Sequence, residues 1–267
     1  MTRKKPESLT MAVIQARYES TRLPGKVLLP ILNKPVLEWM LERVSKAKTV
    51  DHICITVPYS SKSKYIIDIW RDRKWSKYCT ISYGNAEMND VIGRVLDVVE
   101  KNAGGTRIPD IIVDLTGDCP CVDPRHIDYL VNRFKEDELD YISNSEIGKI
   151  IPRTWPNGTD VRAVRYRSLK DVYDKIDNPV HKSHVSWNLT MFPERYKIDF
   201  WEPPEDIAFP ELQITLDTPE DYIFLTEVFK TFGKQECFSV DDVIRYYRRN
   251  PHLITNKKVK RKIPGEG

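Results

Sequence analysis

Arg17, Arg22 and Lys26 lie on one short polar segment, Gln15-Ala16-Arg17-Tyr18-Glu19-Ser20-Thr21-Arg22-Leu23-Pro24-Gly25-Lys26, together with the hydroxyls of Ser20 and Thr21. Three cations and two hydroxyls on one loop can surround a triphosphate with charge-assisted hydrogen bonds, each worth about 1.5–3 kcal/mol. The segment lacks the Walker pattern, and no Gly-x-Gly-x-x-Gly follows it. P-loop ATPases and dinucleotide-binding folds are therefore poor matches. Spacing alone leaves a second reading open, a solvated basic turn whose exposed cations contribute little to folding.

Two carboxylates invite a metal. Asp118 stands in Thr116-Gly117-Asp118-Cys119-Pro120, where Gly117 is expected to permit a tight turn and close approach of a ligand. Asp217 opens Asp217-Thr218-Pro219-Glu220-Asp221. Mg²⁺ is commonly held by one or two carboxylates plus substrate phosphates, so this pair suffices if the fold joins them. Either residue can instead be a plain turn or capping aspartate.

The elements that must carry these residues follow from periodicity. Thr10–Ala16, His52–Val57, Thr80–Tyr83 and Ile111–Leu115 read as strands. Val36–Ala47, Lys62–Arg71, a helix capped by Asp90, and Pro124–Phe134 read as helices between and after them. Strands alternating with helices imply βαβ units on a largely parallel sheet. Its strand ends are where ligands bind, and both the basic loop and Asp118 fall there. Further on, Arg153–Ala163 reads as a loop entering a short strand. Helices are expected over Ser168–Ile176 and His184–Leu189, strands near Arg195–Phe200 and Leu212–Leu216, and a helix capped by Thr218 that buries Ile223, Phe224, Val228 and Phe229.

The chain has 267 residues, 40% of them hydrophobic, which suits one α/β domain with a small substrate-facing insertion. No run approaches the roughly 20 apolar residues that span a bilayer, and no signal-peptide core is present, so a cytoplasmic protein without membrane contact is expected. A net charge of +3, from 42 basic and 39 acidic residues, gives no global field for nucleic acid. Basic residues crowd only at the end, between Lys257 and Lys262, and read as a solvated tail. Five scattered cysteines argue against a disulfide framework.

Taken together, the segments resemble the cytidylyltransferase family that contains CMP-3-deoxy-manno-octulosonate synthetase, and within it the spore-coat polysaccharide branch. The family signature Arg-x-x-Ser-x-Arg-Leu-Pro-x-Lys is matched from Arg17 to Lys26. Thr-Gly-Asp-x-Pro is matched by Thr116–Pro120, Asp-Thr-Pro-Glu-Asp by Asp217–Asp221, and Asp-Val-x-x-Arg by Asp90, Val91 and Arg94. Gln15-Ala16-Arg17 replaces the Pro-Ala-Arg of the octulosonate enzymes, which favours the spore-coat branch. Asn157-Gly158-Thr159-Asp160-Val161-Arg162 resembles a Gly-x-Asp-Val-Glu element with Arg162 in place of the acid. His181-Lys182-Ser183-His184-Val185 resembles a Glu-His-Val element with Ser183 in place of the acid. Both changes imply a more electropositive acceptor pocket.

The resemblance implies a Rossmann-like nucleotide-diphospho-sugar transferase fold, a mixed, mostly parallel sheet flanked by helices. It implies a flexible extension over 1–9, a catalytic domain over 10–250 with a substrate and dimerisation region at about 145–210, and a flexible basic tail over 251–267. CTP would be bound by Gln15, Ala16, Arg17, Ser20, Arg22, Lys26, Asp90, Arg94, Thr116 and Gly117. Asp118 and Asp217 would hold Mg²⁺ and, with Arg17 and Lys26, carry the chemistry. Arg153, Asp160, Arg162, Lys182 and His184 would meet an anionic acceptor, in a homodimer. A glycosyltransferase of related fold fits less well, because Asp118-Cys119-Pro120 supplies no Asp-x-Asp motif. A non-catalytic nucleotide-binding protein would need only part of these residues.

Overall fold

The computed structural model describes residues 8–77, 79–84, 89–103, 107–145, 152–176, 178, 181–183, 185, 187–235 and 237–257. His184 and the basic cluster beyond Lys257 lie outside them. In chain order the strands are β1 (Thr10–Gln15), β2 (Pro30–Ile31), β3 (Lys34–Pro35), β4 (His52–Pro58), β5 (Thr80–Gly84), β6 (Ile111–Thr116), β7 (Tyr141–Ser143), β8 (Arg162–Arg165) and β9 (Ile198–Phe200). The helices are α1 (Val36–Val44), α2 (Lys64–Asp72), α3 (Val91–Asn102), α4 (Pro124–Glu136), α5 (Tyr166–Tyr173), α6 (Trp187–Thr190), α7 (Pro219–Phe232) and α8 (Val240–Arg249).

Seven strands form the main sheet in the order β5-β4-β1-β6-β8-β7-β9. The pairs from β5 through β6 are parallel, β8 runs antiparallel to both β6 and β7, and β9 is again parallel to β7. β1 shows why the sheet is double-faced. Ala12 and Ile14 point into the layer with α1, α2 and α4, while Met11 and Val13 point into the layer with α3 and α5. A third cluster packs α7 and α8 around Trp155, Phe238 and the buried Leu212, Ile214 and Leu216.

Three local expectations are corrected. Leu212–Leu216 is extended but is no strand. It makes one isolated bridge, Asn157 with Gln213, and its remaining bonds go to irregular partners, Leu216 N donating to Asp118 O at 2.9 Å. Ile223 is 58% exposed, because α7 turns Phe224, Leu225, Val228 and Phe229 inward instead. The expected helix over His184–Leu189 is the four-residue α6, preceded by a 3-10 turn at His181–Ser183. The chain over 145–210 supplies β8 and β9 to the main sheet.

Candidate active site

β1 delivers the basic loop to the C-terminal edge of the sheet. Tyr18 O accepts from Ser20 N at 2.9 Å and Gly25 N at 2.8 Å, which closes the loop on itself. Gly25 sits at φ 69°, the left-handed region that costs glycine little, and leads into a 3-10 turn over Lys26–Leu28. This turn aims Lys26 inward. Its Nζ donates to Asp118 Oδ2 at 2.5 Å and to Asp217 Oδ1 at 2.8 Å, while Arg22 Nη2 reaches the same Asp217 oxygen at 3.0 Å.

The two carboxylates meet because the backbones carrying them are tied. Asp118 follows β6, and Gly117 N donates to Gln15 O at 2.9 Å. A Cβ at Gly117 would lie 3.0 Å from that carbonyl, so the close approach there is to β1 rather than to a ligand. On the other side, Leu216 N bonds Asp118 O directly. Asp217 is then fixed by the capping box of α7. Thr218 Oγ1 accepts from Asp221 N, and Asp221 Oδ2 accepts from Thr218 N at 2.9 Å and Asp217 N at 3.1 Å.

The loop cations are not uniformly solvated. Lys26 is only 5% exposed, which removes the solvated-turn reading for that residue. Burial alone would lower the pKa of its ammonium, but Asp118 and Asp217 outweigh it and hold the group above its ordinary value. Burial likewise opposes ionisation of Asp118, and Lys26 overcomes this to hold the carboxyl below its ordinary value. Because Asp118 Oδ2 and Asp217 Oδ1 converge on one cationic atom, the donor set suits a hard divalent cation whose other ligands are phosphate oxygens. Among the described residues no cluster of three or more His, Cys, Asp or Glu offers an all-protein cage.

Beside this pair lies a cavity of about 310 Å³ whose lining includes Gln15, Ala16, Arg17, Lys26, Arg94, Thr116 and Asp118. Val91 and Ser183, both within the motifs read from sequence, line it as well, as do Val27 and Asn89, which were not singled out; Asn89 and Val91 flank the predicted N-cap. Burial, and then the nearby Arg17, pull the Arg94 pKa down, so two guanidiniums crowd the same wall. Such crowding favours an anion between them. On the cavity floor Gln15 donates its amide to Asp114, a fully buried carboxyl whose pKa is raised by burial.

Other sequence candidates sit elsewhere. Asp90 caps α3, accepting from Gly93 N at 2.8 Å and from Tyr173 Oη at 2.6 Å. Ser20 is buried, its Oγ accepting from Leu23 N at 3.4 Å within the loop. Lys182 Nζ stands 4.6 Å from the centre of the Tyr173 ring. Arg153, Asp160 and Arg162 do come together. Arg153 grips Asp160 through Nη1 at 2.8 Å and Nη2 at 3.1 Å, and Arg162 reaches Asp160 at 3.3 Å and Asp114 at 3.9 Å. The expected gain of positive charge at Arg162 is thus largely balanced by buried carboxylates. Burial would raise the Asp160 pKa, and Arg153 with Arg162 hold it down against both that and neighbouring Asp118.

A mostly parallel Rossmann-like sheet with a basic loop after β1 and a carboxylate after β6 paired with one that precedes α7 defines a nucleotidyltransferase class of architecture. The cytidylyltransferase family profile matches residues 11–183, and the chain belongs to that family. It is 28% identical over 248 residues to the spore coat polysaccharide biosynthesis protein SpsF of Bacillus subtilis, covering 92% of this chain and 97% of that one. A cytidylyltransferase structure from Leptospira borgpetersenii superposes with a TM-score of 0.81 at 28% identity, over 96% of this chain and all (100%) of that one. CMP:2-keto-3-deoxy-manno-octonic acid synthetase complexed with CTP shares the fold, with a TM-score of 0.59 at 19% identity over 84% of this chain and 99% of that one.

Proposed function

We propose that this cytidylyltransferase moves CMP from CTP to an anionic acceptor and releases pyrophosphate. The acceptor is a sugar acid such as a 3-deoxy-ulosonic acid, or a phosphate or phosphonate, and the product feeds synthesis of surface polysaccharide or glycoconjugate. One observation carries the reading: Lys26, the last residue of the basic loop, meets both Asp118 and Asp217 beside a cavity walled by Arg17 and Arg94. The role of SpsF in spore coat polysaccharide biosynthesis and the CTP bound by the synthetase of like fold support the reading for pathway and nucleotide.

An acceptor oxygen attacks the α-phosphorus of CTP, and the bond to the β-phosphate oxygen breaks, so pyrophosphate leaves with that electron pair. Transfer of this kind is chiefly positioning and charge neutralisation. Arg17, Arg22 and Lys26 balance the triphosphate and the departing pyrophosphate. Gln15, Ala16, Arg94 and Thr116 hold the nucleotide at the ends of β1 and β6. Asp118 and Asp217 would hold Mg²⁺, which when bound neutralises phosphate charge and lowers the pKa of an acceptor hydroxyl. Arg153 and Arg162, held by Asp160 close to Asp118, are the residues placed to meet the acceptor, although Asp160 and Asp114 already take up much of their charge.

The test is pyrophosphate release from CTP and Mg²⁺ with a panel of sugar acids, sugar phosphates and phosphonates. Release that requires CTP together with one anionic acceptor is expected. Equal turnover with ATP, or no release with any acceptor, contradicts the reading.

A further inference from the structure

Lys26 has a role beyond neutralising phosphate. Its ammonium touches Asp118 Oδ2 at 2.5 Å and Asp217 Oδ1 at 2.8 Å, the same two oxygens that converge to form the candidate metal position. An ammonium and a divalent cation cannot share that point. Two carboxylates so close repel strongly in a partly desolvated site, and Lys26 between them, with Arg22 on Asp217 at 3.0 Å, offsets this repulsion. The side chain is nearly buried, while both carboxylates keep some exposure, 23% and 17%. The site is therefore charge-balanced as folded and offers a metal ion little net attraction.

We infer that Lys26 is a resident counter-cation that a metal must displace, so that nucleotide binding opens the metal position by drawing Lys26 onto phosphate. This rests on the proposed assignment of Asp118 and Asp217 as metal ligands. The geometry supplies the path. Lys26 lines the cavity shared with Arg17 and Arg94, and its backbone is pinned by the 3-10 turn after Gly25. Only the flexible four-carbon stem needs to move for Nζ to exchange carboxylate for phosphate oxygens. The consequence is an order of events. Metal binds weakly to the free protein and tightly once a triphosphate is present. Free metal therefore does not occupy the carboxylates ahead of substrate.

The test is Mn²⁺ binding to the full chain without nucleotide, read as loss of the free-Mn²⁺ electron paramagnetic resonance signal, with melting temperature as a second readout. Lys26→Met should bind Mn²⁺ at least ~10-fold more tightly than the wild type, because removing one unit of positive charge leaves the two carboxylates with only Arg22, on Asp217, against them. Lys26→Arg, which keeps the charge, should remain weak, and Lys26→Met with Asp217→Asn should lose the gain. Lys26→Gln stands in if the methionine variant fails to fold by circular dichroism. Mn²⁺ should also raise the melting temperature of Lys26→Met more than that of the wild type. Equal affinity in wild type and Lys26→Met, with binding still lost on Asp217→Asn, overturns the inference and leaves the metal assignment standing. Failure of Lys26→Met to bind Mn²⁺ overturns it too. If CTP then restores no binding in the wild type, the metal assignment falls with it.

Discussion

Asp221 holds Asp217 by its backbone, the Asp221 Oδ2 accepting from Asp217 N at 3.1 Å, although Asp221 is itself fully buried behind the candidate site. The other carboxylate oxygen accepts from Asn256 Nδ2 at 2.7 Å. The Asp-Thr-Pro-Glu-Asp motif is thus one device, with a capping box that starts α7 and sets the angle at which Asp217 leaves the backbone. Asp221→Ala should lower kcat by about 10-fold or more with little change in KM for CTP, since it misplaces a group rather than removing one. It should also cost about 1–3 kcal/mol of stability through the orphaned amides. Steady-state kinetics beside thermal melting check both, and an unchanged kcat would detach Asp221 from the site.

Lys26→Ala should cut kcat/KM for CTP by roughly 10²–10³-fold, the scale for loss of one preorganised charged donor. An exposed cation would leave stability unchanged, but the 5% exposure of Lys26 reverses that expectation. Removing it leaves Asp118 without its ion pair, next to an Asp217 that keeps only Arg22. The cost should be about 2–3 kcal/mol, below that of a fully buried pair because both keep some water contact. Pyrophosphate release and urea melts measure the two effects; a loop that tolerates the change in both respects is not the phosphate site.

The same pair fixes a pH dependence. The Asp118 pKa is depressed on folding, so its contribution is present above the unfolded carboxylate value, about 3.9, and lost as pH falls through the folded one. The Lys26 pKa is raised, so its contribution is present below the unfolded lysine value, about 10.4, and lost as pH rises through the folded one. The melting difference between wild type and Lys26→Ala should therefore be flat from about pH 6 to pH 9. A difference that grows or collapses inside this window would mean that another titrating group sets it.

Much of this was legible in the sequence, and the exceptions have physical causes. The parallel strands β1, β4 and β6 announce themselves because strands buried on both faces read as apolar runs bounded by turn residues, while β5 is a half-buried edge strand with a mixed sequence. The basic loop and Asp118 were visible because charged residues at strand ends are conspicuous, and Asp217 because it stands just before the cap of α7. α8 was not anticipated, although Val240, Val243, Ile244 and Tyr247 recur at helical spacing with acidic and basic residues on the other face, an amphipathic pattern that was there to be read. Leu212–Leu216 misled in the other direction, because its apolar residues are buried by packing on α7 and α8 and not by sheet pairing. The charge balance around Arg162 was out of reach as well. Asp160 is only two residues away, but Asp114 becomes a partner only when β8 pairs with β6.

Asp160 supports that balance. Asp160→Asn should leave the Arg153 and Arg162 guanidiniums without their shared carboxylate and destabilise the fold by about 3 kcal/mol. In catalysis it should raise KM for the acceptor far more than KM for CTP, because the cavity residues that face the nucleotide are untouched. Varying each substrate separately in the pyrophosphate assay distinguishes the two; a loss confined to CTP would move Asp160 to the nucleotide side.

The central claim is that Asp118 and Asp217 act as one unit in nucleotidyl transfer. It is tested most directly by pyrophosphate release from CTP and the productive acceptor in Asp118→Asn, Asp217→Asn and the double variant, each with Mg²⁺ and with a chelator. Each single change should remove at least about 10²-fold of the rate, the double should lose little more than the worse single, and the chelator should silence the wild type. Losses that multiply cleanly in the double variant, or a wild-type rate indifferent to the chelator, would contradict the account.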